Sequence, residues 1–234
     1  MPEDPIQPEV GPEPSAPTAL PSPAVPTPPA PAPLPAGSPP FPPAQLLLAR
    51  PKTVYINYFD GINESKVKAL MALCSDIIAK CRPETLYFLV SSNGGSVNAG
   101  IALYNFLRAL PVEIVMHNTG SIDSIATVIF LAGNRRYAAL HSTFLFHGVQ
   151  MTCNQGVVLN YTQLQEHVSM MQQDENKIAG IIAARTQLTE AEIRQLFRQG
   201  ESKDLAFAKE KGIIHEAKDA AIPKDAPFMT VNLN

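Results

Sequence analysis

Eighteen of the 23 prolines in this 234-residue chain fall between Pro2 and Pro43, and only five lie beyond. Proline has no amide donor and a fixed φ, so so dense a segment builds neither a helix interior nor a sheet interior. The same stretch is rich in Ala and Ser and carries Glu3, Asp4, Glu9 and Glu13. It cannot bury enough apolar surface to offset the entropy of ordering. Residues 1–45 are therefore expected to form a disordered, polyproline-II-like arm. The fold is expected within residues 46–222, followed by a C-terminal tail at 223–234. That is one domain by size, and a chain 45% hydrophobic and 17% charged can fill one core.

Charge narrows the class further. The net charge is −3 with the basic residues scattered, so no nucleic-acid face is expected. The start, MPEDPIQPEV, has neither a basic flank nor an apolar stretch, which is not the pattern of a secretory signal. The apolar run around Ile125–Leu131 is too short to span a bilayer. Cys74, Cys81 and Cys153 are odd in number and lack metal-ligand spacing. They are expected as reduced thiols of a cytoplasmic protein that holds no metal or cofactor.

From residue 52 onward the pattern alternates. KTVYINYFDGI is β-branched and aromatic and ends on Asp-Gly, as a strand entering a turn does. In NESKVKALMALCSDIIAKC, residues Val67, Leu70, Met71, Cys74, Ile77, Ile78 and Cys81 form one stripe, capped by Asn63 or Ser65. ETLYFLVSS reads as a buried strand and VNAGIALYNFLRAL as a helix ended by Pro111. VEIVMHN is a strand, with Gly120 opening a turn before a helix that starts near Ser124. RRYAAL and STFLFHG are short strands. A long helix is expected from about Val158 to Arg185, and another at the capping box Thr189-x-x-Glu192. DLAFAKEKGIIHEA adds a helix, a Gly212 stop and a closing strand. Strand–helix alternation of this kind implies an α/β fold with largely parallel pairing. Chemistry in such a fold belongs at the carboxyl ends of the strands.

Two turns at those ends are the most polar and glycine-rich. In SSNGGSVNAG, paired glycines let backbone approach a ligand, and the Gly95 amide at a helix entry is placed to donate to an anion or an oxyanion. A tight turn without a ligand explains the same residues, and no phosphate-binding lysine follows. In GSIDSIA, Ser124 at the first turn of a buried helix has an exposed Oγ beside the Ile125 amide, the geometry of a nucleophile. Ser124 or Asp123 as a plain helix cap fits equally, and Ser121 is a second hydroxyl in the turn. His147 ends the strand TFLFH and is a candidate base, with His117, His141, His167 and His215 as alternatives.

Taken in order, SSNGGSVNAG…ALYNFL, GSIDSIATVIFLAGNRRYAALHSTFLFHG and AKEKGIIHE resemble the proteolytic subunit of the Clp protease over roughly Val54–Glu216. The resemblance implies the ClpP/crotonase-like spiral of ββα units, with Val158–Arg185 as a long handle helix. It implies a self-compartmentalising serine endopeptidase acting on unfolded proteins. Ser124 would be its nucleophile, His147 its general base, and the amides of Gly95 and Ile125 its oxyanion hole. Stacked heptameric rings forming a tetradecamer and an AAA+ unfoldase partner are implied as well.

Three departures stand out. The third catalytic residue of the family, an aspartate, falls on Gly200 here, so Glu201, or Asp204 as the alternative, is expected to orient His147. Asp123 replaces the small residue before the nucleophile and is expected to point away from the site. Ala126 replaces a glycine, and the proline-rich arm stands where the family has an axial hairpin. An impaired ring subunit serving as a structural partner is the alternative these departures raise. A crotonase-type acyl-CoA enzyme is a weaker one, since no basic cluster for a nucleotide is visible.

Overall fold

The structure is a computed structural model that describes residues 51–152 and 156–231. The proline-rich arm and Cys153 lie outside those residues.

Strand β1 (Thr53–Phe59) and β2 (Thr85–Ser92) pair in parallel from Thr53↔Thr85 to Phe59↔Ser91. The connection between them is α1 (Glu64–Cys81), which begins where Asn63 Oδ1 accepts the Lys66 amide at 2.9 Å. Asn63, not Ser65, is the cap. The stripe read from the sequence packs on the sheet through Val67, Leu70, Cys74 and Ile77, all buried. Helix α2 (Val97–Ala109) follows, its first turn capped by Ser96 Oγ on the Ala99 amide.

Strand β3 (Glu113–Asp123) is longer than the sequence suggests, running through Gly120 instead of turning there. The reason is local. Val90 faces Asn118 while Ser92 faces Ile122, so β3 carries two extra residues against β2. Ser91 Oγ fills the gap by accepting the Ser121 amide at 3.1 Å. A Cβ at Gly120 would sit 2.8 Å from that oxygen. The glycine therefore serves a bulge and not a turn.

Beyond β3 come α3 (Ala126–Phe130), β4 (Arg135–Ala138) and β5 (Thr143–Leu145). The long helix α4 (Tyr161–Arg185) starts at an Asn160–Gln163 capping box. Helix α5 (Glu190–Gln199) starts at the expected Thr189–Glu192 box and ends on Gly200, at φ 61°. Strand β6 (Ser202–Lys203), helix α6 (Leu205–Glu210), β7 (Glu216–Ala217) and β8 (Phe228–Thr230) complete the described chain. The stretch set apart as a tail after Ile222 thus contributes β8, paired in parallel with β1.

The main path of the sheet runs β6-β5-β3-β2-β1-β8, with β4 and β7 branching from β3. All pairings are parallel except β5 with β6. The branch point controls the site, because β3 changes partner along its length. Val115–Asn118 pair with β4, and Ser121–Asp123 pair with β5. Asn118, fully buried, sits at the switch. Its Nδ2 donates to the Thr143 carbonyl at 2.8 Å and its Oδ1 accepts the Gly120 amide at 3.0 Å.

Under this half of the sheet Arg136 is buried, with no carboxylate paired to it among the described residues. Its guanidinium donates to the carbonyls of Gly133, Arg185, Gly212 and Ile213. Arg185 Nε and Nη2 hold those of Leu131 and Gly133. These carbonyls end α3, α4 and α6 or lie just beyond, where helix dipoles favour a cation. Among the described residues no helix is long and apolar enough to cross a membrane.

Candidate active site

Ser124 stands between the last residue of β3 and the first turn of α3, at φ 57°. A left-handed conformation at a residue with a Cβ is strained. The surroundings impose it: the Ser124 amide donates to Leu145 O of β5 at 2.8 Å, while its carbonyl accepts the amide and hydroxyl of Thr127. The Oγ makes no hydrogen bond among the described residues, and α3 has no side-chain cap. The capping role open to Ser124 or Asp123 is therefore unused, and Ser124 lines a cavity of about 360 Å³.

His147 lines the same cavity. The parallel register Ser121↔Thr143 and Asp123↔Leu145 carries both chains out of the sheet side by side, so the serine and the histidine emerge at one edge. The ring Nδ1 lies 2.7 Å from the Gly148 carbonyl oxygen. A carbonyl can only accept, so Nδ1 bears the proton and Nε2 of the neutral ring is free to take one.

The other histidines have different work. His117 is buried, its Nε2–H donating to Lys218 O and its Nδ1 accepting the Tyr87 hydroxyl. Burial holds its pKa below the ordinary value. His215 Nδ1 accepts the Arg136 amide, and burial, then the Arg136 and Arg185 charges, lower its pKa too. His141 is exposed beyond β4 and His167 lies on α4. None of the four lines the cavity.

Two backbone amides complete the site. Gly95 and Ile125 line the cavity, and neither amide donates a hydrogen bond among the described residues. Gly95 is at φ 147°, and any Cβ there would fall 2.1 Å from the Ile62 carbonyl oxygen. That oxygen accepts the Ser96 amide at 2.8 Å, which pins the turn. Gly94, at φ 87°, touches the serine directly: a Cβ would lie 2.7 Å from Ser124 Cβ and 3.2 Å from its Oγ. The sequence offered the pair of glycines but not their division of labour. One turns an amide outward; the other lets the serine approach.

The structure does not bring every expected residue here. Glu201 pairs with Lys203 at 3.1 Å, is 65% exposed and does not line the cavity. Gly200 ends α5, and Glu201 then enters the β6 edge, where residues two apart share a face. Asp204 caps α6 by accepting the Phe207 amide at 2.9 Å. Among the described residues no carboxylate is hydrogen-bonded to His147. Asp123 does not line the cavity, and Ser121 is held in β3 by Ser91. A carboxylate that sequence reasoning missed, Glu175 of α4, accepts the Val149 amide at 3.1 Å just beyond the histidine. Val97, Ile125, Phe146, Ile178 and Phe197 give the cavity an apolar wall.

Comparison with known proteins points to one family. A family model described as Clp protease matches residues 48–220. The ATP-dependent Clp protease proteolytic subunit 2 of Treponema pallidum is 26% identical over 165 residues, covering 69% of this chain and 79% of its own length. The proteolytic subunit 2 of Prochlorococcus marinus is 32% identical over 90 residues, 38% of this chain and 42% of that relative. A solved structure, a mutant ClpP1 from Listeria monocytogenes, superposes with a TM-score of 0.61 at 17% identity. It covers 72% of this chain and 92% of its own, so the two share the ClpP-like α/β fold.

Proposed function

The chain belongs to the Clp protease family, and from that premise we propose that it is a serine endopeptidase working through an acyl-enzyme. The observation that carries this reading is Ser124, left-handed in its backbone and with an Oγ that makes no hydrogen bond among the described residues, which lines one cavity with His147 and with two residues, Gly95 and Ile125, whose amides donate no bond there.

The reading implies these steps. Ser124 Oγ attacks the scissile carbonyl as His147 Nε2 takes its proton, forming the C–O bond and a tetrahedral oxyanion. The Gly95 and Ile125 amides receive that oxyanion; one such donor is worth about 2.7–4 kcal/mol in kcat in a well-studied serine protease. His147 then passes its proton to the amine as the C–N bond breaks. Water, deprotonated by the same nitrogen, releases the acyl group. Apolar side chains fit the wall formed by Val97, Phe146, Ile178 and Phe197.

Assembly belongs to the same proposal. The first half of α4 exposes Tyr161 (75%), Leu164 (47%), Val168 (53%) and Met170 (60%), apolar surface with nothing over it among the described residues. Such a patch suits burial against another copy, as in stacked heptameric rings, with an AAA+ unfoldase feeding unfolded chains into the chamber.

The test is labelling by a fluorophosphonate together with peptide turnover. Wild-type protein should label at one site and Ser124→Ala should not; equal labelling of both removes Ser124 as nucleophile. A second reading, an impaired ring subunit, is favoured by one observation: His147 Nδ1 faces a carbonyl and not a carboxylate. Serine-directed turnover by the purified homo-oligomer excludes it.

A further inference from the structure

The Gly148 carbonyl that receives His147 and the Val149 amide that meets Glu175 belong to one peptide unit. That unit is planar and trans, with its oxygen and its hydrogen on opposite edges. Whatever fixes one edge fixes the other. At one edge His147 Nδ1 donates at 2.7 Å; at the other Glu175 Oε1 accepts at 3.1 Å.

Everything around this plane holds the carboxylate in place. Glu175 Oε2 pairs with Arg194 of α5 at 3.5 Å. The Gly148 amide donates to Phe197 O, also on α5, at 3.0 Å. A Cβ at residue 148 would sit 2.8 Å from Glu175 Oε1, so the carboxylate comes this close only against a residue without one and would shift otherwise. The backbone at Gly148 is not left-handed, so conformation plays no part in this.

We infer that Glu175 is a positioning residue of the site, acting on His147 through the Gly148–Val149 peptide. The inference rests on the reading of Ser124 and His147 as nucleophile and base. An anionic acceptor on the amide hydrogen polarises the peptide and makes its oxygen more negative. That oxygen then fixes the Nδ1–H tautomer, which leaves Nε2 as the base. When Nε2 takes the proton of Ser124, the positive ring faces an oxygen already charged by the carboxylate beyond it. The job of a carboxylate at the ring is done one peptide away.

The test uses protein labelled with ¹⁵N-histidine, the His147 signals being assigned by their loss in His147→Gln. Wild type should show the Nδ1–H tautomer. Glu175→Gln keeps an oxygen on the Val149 amide and should retain that tautomer. Glu175→Ala should give a mixture of tautomers and a ten- to hundredfold slower fluorophosphonate labelling of Ser124, the size expected for losing one charge-assisted hydrogen bond. Gly148→Ala, which pushes the carboxylate away without removing it, should reproduce the mixture and guards against a fold defect special to Glu175→Ala. A wild-type tautomer and labelling rate in both Glu175→Ala and Gly148→Ala overturns the inference. Wild-type protein that takes no label, with a tautomer that still shifts in Glu175→Ala, refutes the nucleophile and leaves the coupling standing.

Discussion

The left-handed backbone of Ser124 can be weighed by comparing two substitutions that are equally dead as nucleophiles. A residue with a Cβ at φ 57° pays about 1–2 kcal/mol for that conformation, and glycine pays nothing. Glycine loses more chain entropy on folding, roughly 0.5–1 kcal/mol relative to alanine. The difference leaves Ser124→Gly more stable than Ser124→Ala by about 0.5–1 kcal/mol. No hydrogen bond confounds the comparison, since the Oγ has no partner among the described residues and the backbone bonds to Leu145 and Thr127 survive in both variants. At about 2–4 °C per kcal/mol for a domain of this size, Ser124→Gly should melt about 1–4 °C higher. Calorimetry and urea denaturation of the two variants side by side measure it. An alanine variant as stable as the glycine variant, or more so, would mean that the elbow is not strained and that the serine is held some other way.

Other consequences are as direct. Gly94→Ala places a methyl 2.7 Å from Ser124 Cβ at a residue with φ 87°; labelling of Ser124 should disappear and stability should fall by about 2 kcal/mol, read by denaturation. Arg136→Met strands carbonyls at the ends of α4 and α6, while the Gly133 carbonyl keeps Arg185 as donor; a loss on the order of 3 kcal/mol is expected, and one under about 1 kcal/mol would show that water replaces the guanidinium. Burial holds His117 below its ordinary 6.5. As pH falls through 6.5 the unfolded chain takes up the proton first, so stability is whole above that value and declines below it. His215 acts in the same direction, so His117→Gln should flatten the decline only in part, though it starts from a lower plateau.

Much of this was legible in the sequence where one rule acted alone. The α1 stripe, the Thr189–Glu192 box and the Gly212 stop are local patterns, and the chain obeys them. Gly120 was misleading, because a glycine in a turn and a glycine at a bulge look alike until Ser91, thirty residues away, is known to fill the gap. Ser124 and His147 stand out as candidates, but their sharing one cavity depends on β3 changing partner, which no spacing reveals. Glu201 is near a missing aspartate along the chain, but a lysine two residues on claims it. Glu175 gave no signal at all: on an amphipathic helix it looks like any solvated charge, and only the fold sets it behind Gly148.

The forked strand has a kinetic corollary. Its scaffold branch holds six rungs to β2 and four to β4, while the branch leading to Ser124 has one rung to β2 beyond the bulge and three to β5, itself backed by only two residues of β6. Short ladders open more often than long ones, so amide protons on the two branches of β3 should exchange with solvent on separate clocks. The Ser124 amide, which donates to Leu145 O, would report the faster one: how often the turn at Ser124 opens while the protein around it stays folded.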